Sequence, residues 1–292
     1  MSVVSLIQKN PSIRWACGGW IFFIAENAVL SENRTYLIEQ LGDERYHAVY
    51  GTLSTIATCS IGYAYYTIRQ TVATQRLQDL ALWKTGKAPP TMNAFGAWCF
   101  LSVGLVMASQ AAPKMQIPFA LVPTTAGGTT ATTTTTTGQQ GPSAPPPPPS
   151  SSSYKFQVRC PFDFSDKNNA KDANQVTGIE RISRHPGLWS LGLIGLGQSL
   201  IVPTLPQRIW WIGPASIAWL GGSHTDSRYR RNMGGSMDPI YESQTSNIPF
   251  VAMLLGKQGS NSLSRFVTEE LKPLNAGVAV AASTMWILRR VR

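Results

Sequence analysis

Apolar residues along this chain fall in long blocks separated by polar connections. The blocks run over Trp15–Leu30, Tyr50–Ile68, Asn93–Ala112, Pro186–Leu205, Ile209–Gly222 and Leu274–Leu288. Apolar runs of this length predict helices, and about twenty such residues at 1.5 Å rise are enough to cross a bilayer. The expected fold class is therefore all-α: a polytopic helical membrane bundle of about six transmembrane segments, with five and seven both open.

The stretch Thr177–Leu205 organises the reading. A polar run carrying Glu180, Arg181, Arg184 and His185 stops at Pro186, after which charge disappears. Proline suits the first helical position, where the missing N–H would have had no partner, so Pro186 marks a helix start with Arg184 and His185 at the water boundary. Gly192, Gly195 and Gly197 give this helix a smooth side for a close neighbour. Gln198 lies twelve residues past Pro186, roughly 18 Å in by the helical rise.

The other blocks carry their own signals. Glu26 and Asn27 sit near the exit of the first block, where a carboxylate must face the bundle interior or the interface. Tyr36–Leu41 suits a short interfacial helix. Tyr63, Tyr65 and Tyr66, then Trp83, sit where interface anchors belong, and the Trp210/Trp211 pair reads as an anchor before a pigment cage. Pro214 is expected to kink the fifth block, and Ile248–Gly256 is too short to span. Thr124–Ser153 is a threonine, proline and serine tract with little to bury, expected to be disordered and dispensable. The domain plan is residues 1–112 as an N-terminal membrane half, 113–176 as the insert and its polar return, and 177–292 as the C-terminal half.

Composition sharpens this picture. Only 14% of residues are charged, low for a globular protein, while the mean hydropathy of −0.05 averages the apolar blocks with the polar insert. The net charge of +10 points to anionic head groups. Nucleic acid is excluded as a partner because the basic residues flank apolar blocks and form no single patch. Cys17, Cys59, Cys99 and Cys160 show no metal-ligand pairing and read as small buried hydrophobes. With six spans, about ten Lys/Arg share the N-terminal face against Arg34 and Arg45 in the first opposite loop, which puts the N-terminus on the cytoplasm-equivalent side. Six basic residues in 223–273 oppose that assignment.

Helix parity brings Glu26, Asn27, Arg45, His47, Arg184, His185, His224 and Asp226 to one membrane face, with all three histidines among them. The plainer reading is boundary polarity. The functional reading is a ligand pocket of Glu26, Asn27, His47, Arg184, His185, Gln198, His224 and Asp226, in which Glu26 pairs with Arg45 or Arg184. His47 and His185 are weak metal candidates, and no catalytic residue stands out.

Five stretches carry a resemblance: LGDERYHAVYGTLS at 41–54, LQDLALW at 77–83, TGIERISRHPGLW at 177–189, the pair Asp226 and Arg228, and SQTSNIPFVAMLLGKQ at 243–258. In this order they resemble the NnrU family of polytopic membrane proteins, and within it the plant and algal 15-cis-zeta-carotene isomerases. The resemblance implies a plastid membrane protein of carotenoid biosynthesis that uses haem b for cis–trans isomerisation. It implies a carotenoid or other apolar ligand and a bilayer around it. It places the family's two iron-side histidines at Asn27 and Gln198 and a nearby cysteine at Gly195, while His185 matches the Arg-His-Pro histidine. Neutral amides are poor ligands for haem iron, so the ligand positions are substituted and haem b is doubtful here. The alternative is a non-catalytic membrane subunit or a lipid- or pigment-binding protein of a larger complex, with the mitochondrial inner membrane as the alternative location. In either case Asn27 and Gln198 are expected to face each other within about 10 Å, their amides in direct or water-bridged contact.

Overall fold

The computed structural model describes residues 9–73, 80–84, 87–111, 119–124, 153–158 and 176–291. It is mostly helical and divides into two units, residues 1–116 with 162–292, and residues 117–161.

In the first unit α1 (Pro11–Glu32) begins with proline in its first turn, as a helix start should. A short α2 (Arg34–Leu41) buries none of its residues and ends at Gly42, whose φ of 79° lies in the region that favours glycine. The chain turns there into α3 (Asp43–Ala73), which opens on Asp43 and Glu44, acids suited to the positive end of a helix. Helix α4 (Thr91–Ala111) follows. A 3-10 turn at Gly178–Arg181 leads into α5 (Pro186–Ile201). Helix α5 starts at Pro186 as expected, but it is shorter than its apolar run. Val202 is extended ahead of Pro203, which disfavours further helix. Helix α6 (Leu205–Arg230) continues through Pro214. Asp238 caps α7 (Pro239–Gln244) by accepting from the N–H groups of Ile240 and Tyr241 at 2.7 and 3.2 Å. Two single turns, α8 (Val251–Leu254) and α9 (Ser262–Arg265), precede α10 (Pro273–Val291).

The long helices pack side by side in the order α3, α1, α6, α5, α4, α10, so α5 has a long helix on each side. Its glycines permit this. A Cβ on Gly195 would lie 2.6 Å from the Trp211 carbonyl, and one on Gly197 would lie 2.7 Å from Leu101. Gly104 of α4 answers from the opposite face, within 2.9 Å of α5 backbone. Met107, Leu188, Trp189, Leu193 and Ala218 fill one core around this seam, and Ala94, Ala97, Leu101, Ile201 and Ile287 a second. On the other side of α6 the Trp20 indole donates to the Trp210 carbonyl at 2.9 Å, and the Trp210 indole donates to the Ile61 carbonyl at 3.1 Å. Trp210 therefore fastens three helices from inside, whereas an interface anchor was expected.

Among the described residues one helix, Thr91–Gln110, is long and apolar enough to cross a membrane, or two if the bent pair Ser262–Glu270 and Pro273–Val291 is one span. The 16 residues of α5 measure about 24 Å, short of the ~30 Å hydrocarbon core. Helices α1 and α6 carry charges near their ends, and α3 is rich in Ser, Thr and Tyr.

The second unit holds a two-stranded antiparallel ribbon, β1 (Phe119–Thr124) on β2 (Ser153–Val158), with Thr124 opposite Ser153. It is an addition to the expected all-α plan. The tract between the strands, and Cys160, lie outside the described residues. Because Thr124 and Ser153 are partners, replacing 125–152 by a two-residue Asn-Gly turn should keep the fold and strengthen the ribbon by about 2 kcal/mol of loop-closure entropy. Unchanged helical circular dichroism and an unchanged or raised melting temperature would check this.

Candidate functional site

The start of α5 and the end of α6 meet at one carboxylate. Asp226 Oδ2 pairs with Arg184 at 2.9 Å, and Oδ1 takes the His185 Nε2 at 2.8 Å. Asp226 is buried and so is most of His185. The segment after α6 is laced onto the same place. The Arg184 N–H donates to the Ser246 carbonyl at 2.9 Å, and the Phe250 N–H donates to the Ile182 carbonyl at 2.8 Å. Phe250 holds a φ of 65° to make that bond, a backbone strain the surrounding contacts sustain.

Asn247 is the polar hub of this cap. Its Oδ1 accepts from the Trp189 indole at 2.9 Å, and its Nδ2 donates to the Trp219 carbonyl and Ser223 Oγ at 3.1 and 3.0 Å. Gly222 leaves the space, since a Cβ there would lie 2.5 Å from Asn247 Oδ1 and 2.9 Å from the His185 ring. Gln258 donates to the Arg181 and Gln244 carbonyls at 3.0 and 2.9 Å, and the Arg181 Nε donates to Glu270 at 2.8 Å. Burial, reinforced by Glu180, holds the Tyr241 phenol above its usual range.

A second cluster joins α1 to α3. Glu26 Oε1 accepts from Ser54 Oγ at 2.9 Å and Oε2 accepts from Asn27 Nδ2 at 2.7 Å. Asn27 Oδ1 accepts from the Tyr50 hydroxyl at 2.7 Å, while its Nδ2 also donates to the Phe23 carbonyl at 2.9 Å. Toward the end of α1, Ser31 Oγ and His224 Nε2 share a hydrogen bond of 2.7 Å, and Glu32 pairs with Arg231. That ion pair holds the Glu32 carboxyl below its usual range.

The structure thus joins His185, Arg184 and Asp226 in one network, joins Glu26 to Asn27, and links α1 to His224 through Ser31. It corrects four expectations. Glu26 pairs with neither Arg45 nor Arg184, because Arg184 is committed to Asp226 and Arg45 is exposed. His47 stays outside the pocket, its Nδ1 held by the Asp43 carbonyl at 2.8 Å on the surface of α3. Asn27 and Gln198 make no hydrogen bond. Both Asn27 amide protons are used within α1. Gln198 is buried and makes no hydrogen bond to the polar cluster it was grouped with among the described residues.

Haem is tested better on the histidines themselves. His185 Nε2 is held by Asp226, His224 Nε2 by Ser31 and His47 Nδ1 by Asp43. No group of three metal-ligating side chains occurs among the described residues. His185 and His224 thus have their Nε2 engaged, whereas His47 keeps its Nε2 open on α3. Several partners went unread: Ser31, Glu32, Tyr50, Ser54, Arg231, Asn247, Gln258 and Glu270. Tyr46, Tyr50 and Ser54 recur every fourth residue, which puts them on one helix face and could have marked the α1 contact. The chain matches no protein-family model, no curated protein and no solved structure.

Asp226→Asn removes the charge that Arg184 and His185 share, and the loss should be about 3–5 kcal/mol. Glu32→Gln, at a half-exposed pair, should cost about 0–1 kcal/mol. Chemical unfolding of both variants measures the contrast.

The His224 imidazole is held below its ordinary range, chiefly by burial, with Glu32 opposing and Arg228 and Arg231 reinforcing. The folded state then binds fewer protons than the unfolded one. The contribution is complete above about pH 6.5 and is lost as pH falls. The melting temperature should drop between about pH 7 and pH 5, and His224→Gln should flatten part of that drop.

Proposed function

We propose that this chain is an NnrU-type integral membrane protein, similar in plan to the 15-cis-zeta-carotene isomerases, that works without haem. In this reading it is a membrane subunit that holds a lipid or carotenoid-like apolar ligand in a plastid membrane. The observation that carries it is the convergence of the stretches behind the resemblance. Stretch 177–189 contributes Arg184, His185 and Trp189, the aspartate–arginine pair contributes Asp226, and 243–258 contributes Asn247 and Gln258. Stretch 41–54 contributes Tyr50 and Ser54 to the other cluster. Motifs distant in sequence that meet in space support a shared fold.

A six-span arrangement fits the outward faces. Ile21, Val29, Ile56, Phe95, Leu191, Trp219, Val278 and Met285 are all exposed, and a bilayer would cover them. The short α5 suits a helix held between two longer neighbours with little lipid contact, where local thinning or polar ends relieve the mismatch. Within such a bundle the charged cap lies at one boundary and the Trp20–Trp210 cluster lies deeper. The amides Asn27 and Gln198 at the positions matched to the family's iron-side histidines favour binding over isomerisation.

Alkaline carbonate extraction and an absorption spectrum of the detergent-solubilised protein test the two parts separately. The protein should stay with the membranes and show no haem band, with carotenoid absorbance marking the ligand. Release into the supernatant would overturn the membrane reading. A haem band together with conversion of 15-cis-zeta-carotene would restore the isomerase.

A further inference from the structure

Glu26 is the buried ionisable group that the cap does not use. It is 7% exposed and stands six residues before Glu32 at the end of α1, about 9 Å further in by the helical rise. A buried carboxylate keeps its charge only if a cation or several donors compensate it, and otherwise holds a proton.

The cations at this end of the bundle are committed elsewhere. On α6, Arg231 is paired with Glu32, and His224, which burial disfavours as a cation, shares a hydrogen bond with Ser31. Arg184 ahead of α5 is held by Asp226. Among the described residues no ion pair joins a carboxylate of α1 to Arg228 of α6, to half-exposed Arg34 of α2 or to exposed Arg45 of α3. Among the described residues Glu26 has no ion-pair partner. Its two hydrogen bonds come from neutral groups, Ser54 Oγ and Asn27 Nδ2. A carboxylate has about four acceptor positions, so two neutral donors leave the charge undercompensated.

We propose that Glu26 is a proton-binding site, a neutral carboxylic acid in the resting protein that exchanges its proton with the polar end of the bundle. Asn27 and Tyr50 position it: the Tyr50 hydroxyl donates to Asn27 Oδ1, which fixes the amide so that Nδ2 points at Oε2. Oε1 is left for the proton, and the Ser54 hydroxyl can turn to accept it, because a hydroxyl both donates and accepts. Tyr46 stacks on Tyr50 and donates to the Leu30 carbonyl, one residue from the Ser31–His224 bond. The nearest water boundary therefore lies along this face. The proposal rests on the membrane reading for the apolar surroundings of α1.

The test is labelling of the full-length protein in membrane vesicles with dicyclohexylcarbodiimide, an apolar reagent that adds to protonated carboxyls. The acid O–H adds across one C=N bond with no leaving group, and peptide mass spectrometry locates the adduct. A water-soluble carbodiimide is the control for exposed acids. Glu26 should be labelled by the apolar reagent and spared by the soluble one, with labelling falling roughly tenfold per pH unit once the proton is lost. Glu26→Gln should abolish the adduct and keep the wild-type melting temperature, because a neutral isostere replaces a neutral acid. An unlabelled Glu26, labelling indifferent to pH, or a Glu26→Gln protein that melts well below wild type would overturn the proposal. Carbonate release of the protein would mark failure of the membrane reading. A membrane-retained protein with Glu26 unlabelled would mark failure of this inference alone.

Discussion

The structure depends on the carboxylate of Asp226. One oxygen faces Arg184 and the other faces His185, so a single buried charge ties the end of α6 to the residues that start α5. Taking three ionisable groups out of water is costly, and removing one partner leaves the others uncompensated. That arrangement tolerates little displacement. Once it fixes the angle at which α5 leaves the cap, the neighbouring bonds become possible: Trp189 to Asn247, Phe250 to Ile182, Gln258 to Arg181. Each satisfies a backbone or side-chain group that would otherwise be stranded beneath the segment following α6.

From this fixed end the packing follows by sterics. Helix α5 lies between α4 and α6 and meets both through small residues. With Cβ atoms at Gly195 and Gly197, its backbone could not approach the Trp211 carbonyl or Leu101 as it does. Ser190 and Gly104 repeat the arrangement one layer nearer the cap. The close seam replaces large side chains with backbone contact, and the two apolar cores fill the space on either side of it.

Much of this was legible because it rests on local rules. Pro186 announced the start of α5, the glycines announced close neighbours, and the block pattern located every long helix, although α3 starts seven residues before its block and α6 runs eight residues past its own. Parity brought Arg184, His185, His224 and Asp226 to one end. What was not legible was pairing. Nothing in composition or spacing tells whether Glu26 meets an arginine or a serine, since both choices satisfy the same polarity pattern. The same holds for Asn27, whose amide is consumed by Phe23, Glu26 and Tyr50 before any partner across the bundle can compete. The ribbon escaped because twelve residues of strand flank a tract whose composition dominated the reading.

The two polar clusters differ in the way their depth requires. In the cap and at the end of α1, charges are matched by charges: Asp226 with Arg184, Arg181 with Glu270, Glu32 with Arg231. Water nearby lowers the desolvation cost, and the pairs supply direction as well as attraction. Further along α1 the groups become neutral donors and acceptors, Tyr50, Asn27 and Ser54, with Glu26 as the one exception. A gradient from ion pairs to neutral hydrogen bonds is what a falling dielectric selects, because a neutral pair loses far less than an ion pair on leaving water. A carboxyl on the neutral side of that gradient conforms to it only by holding a proton, which makes Glu26 the point in the fold where chemistry is stored rather than satisfied.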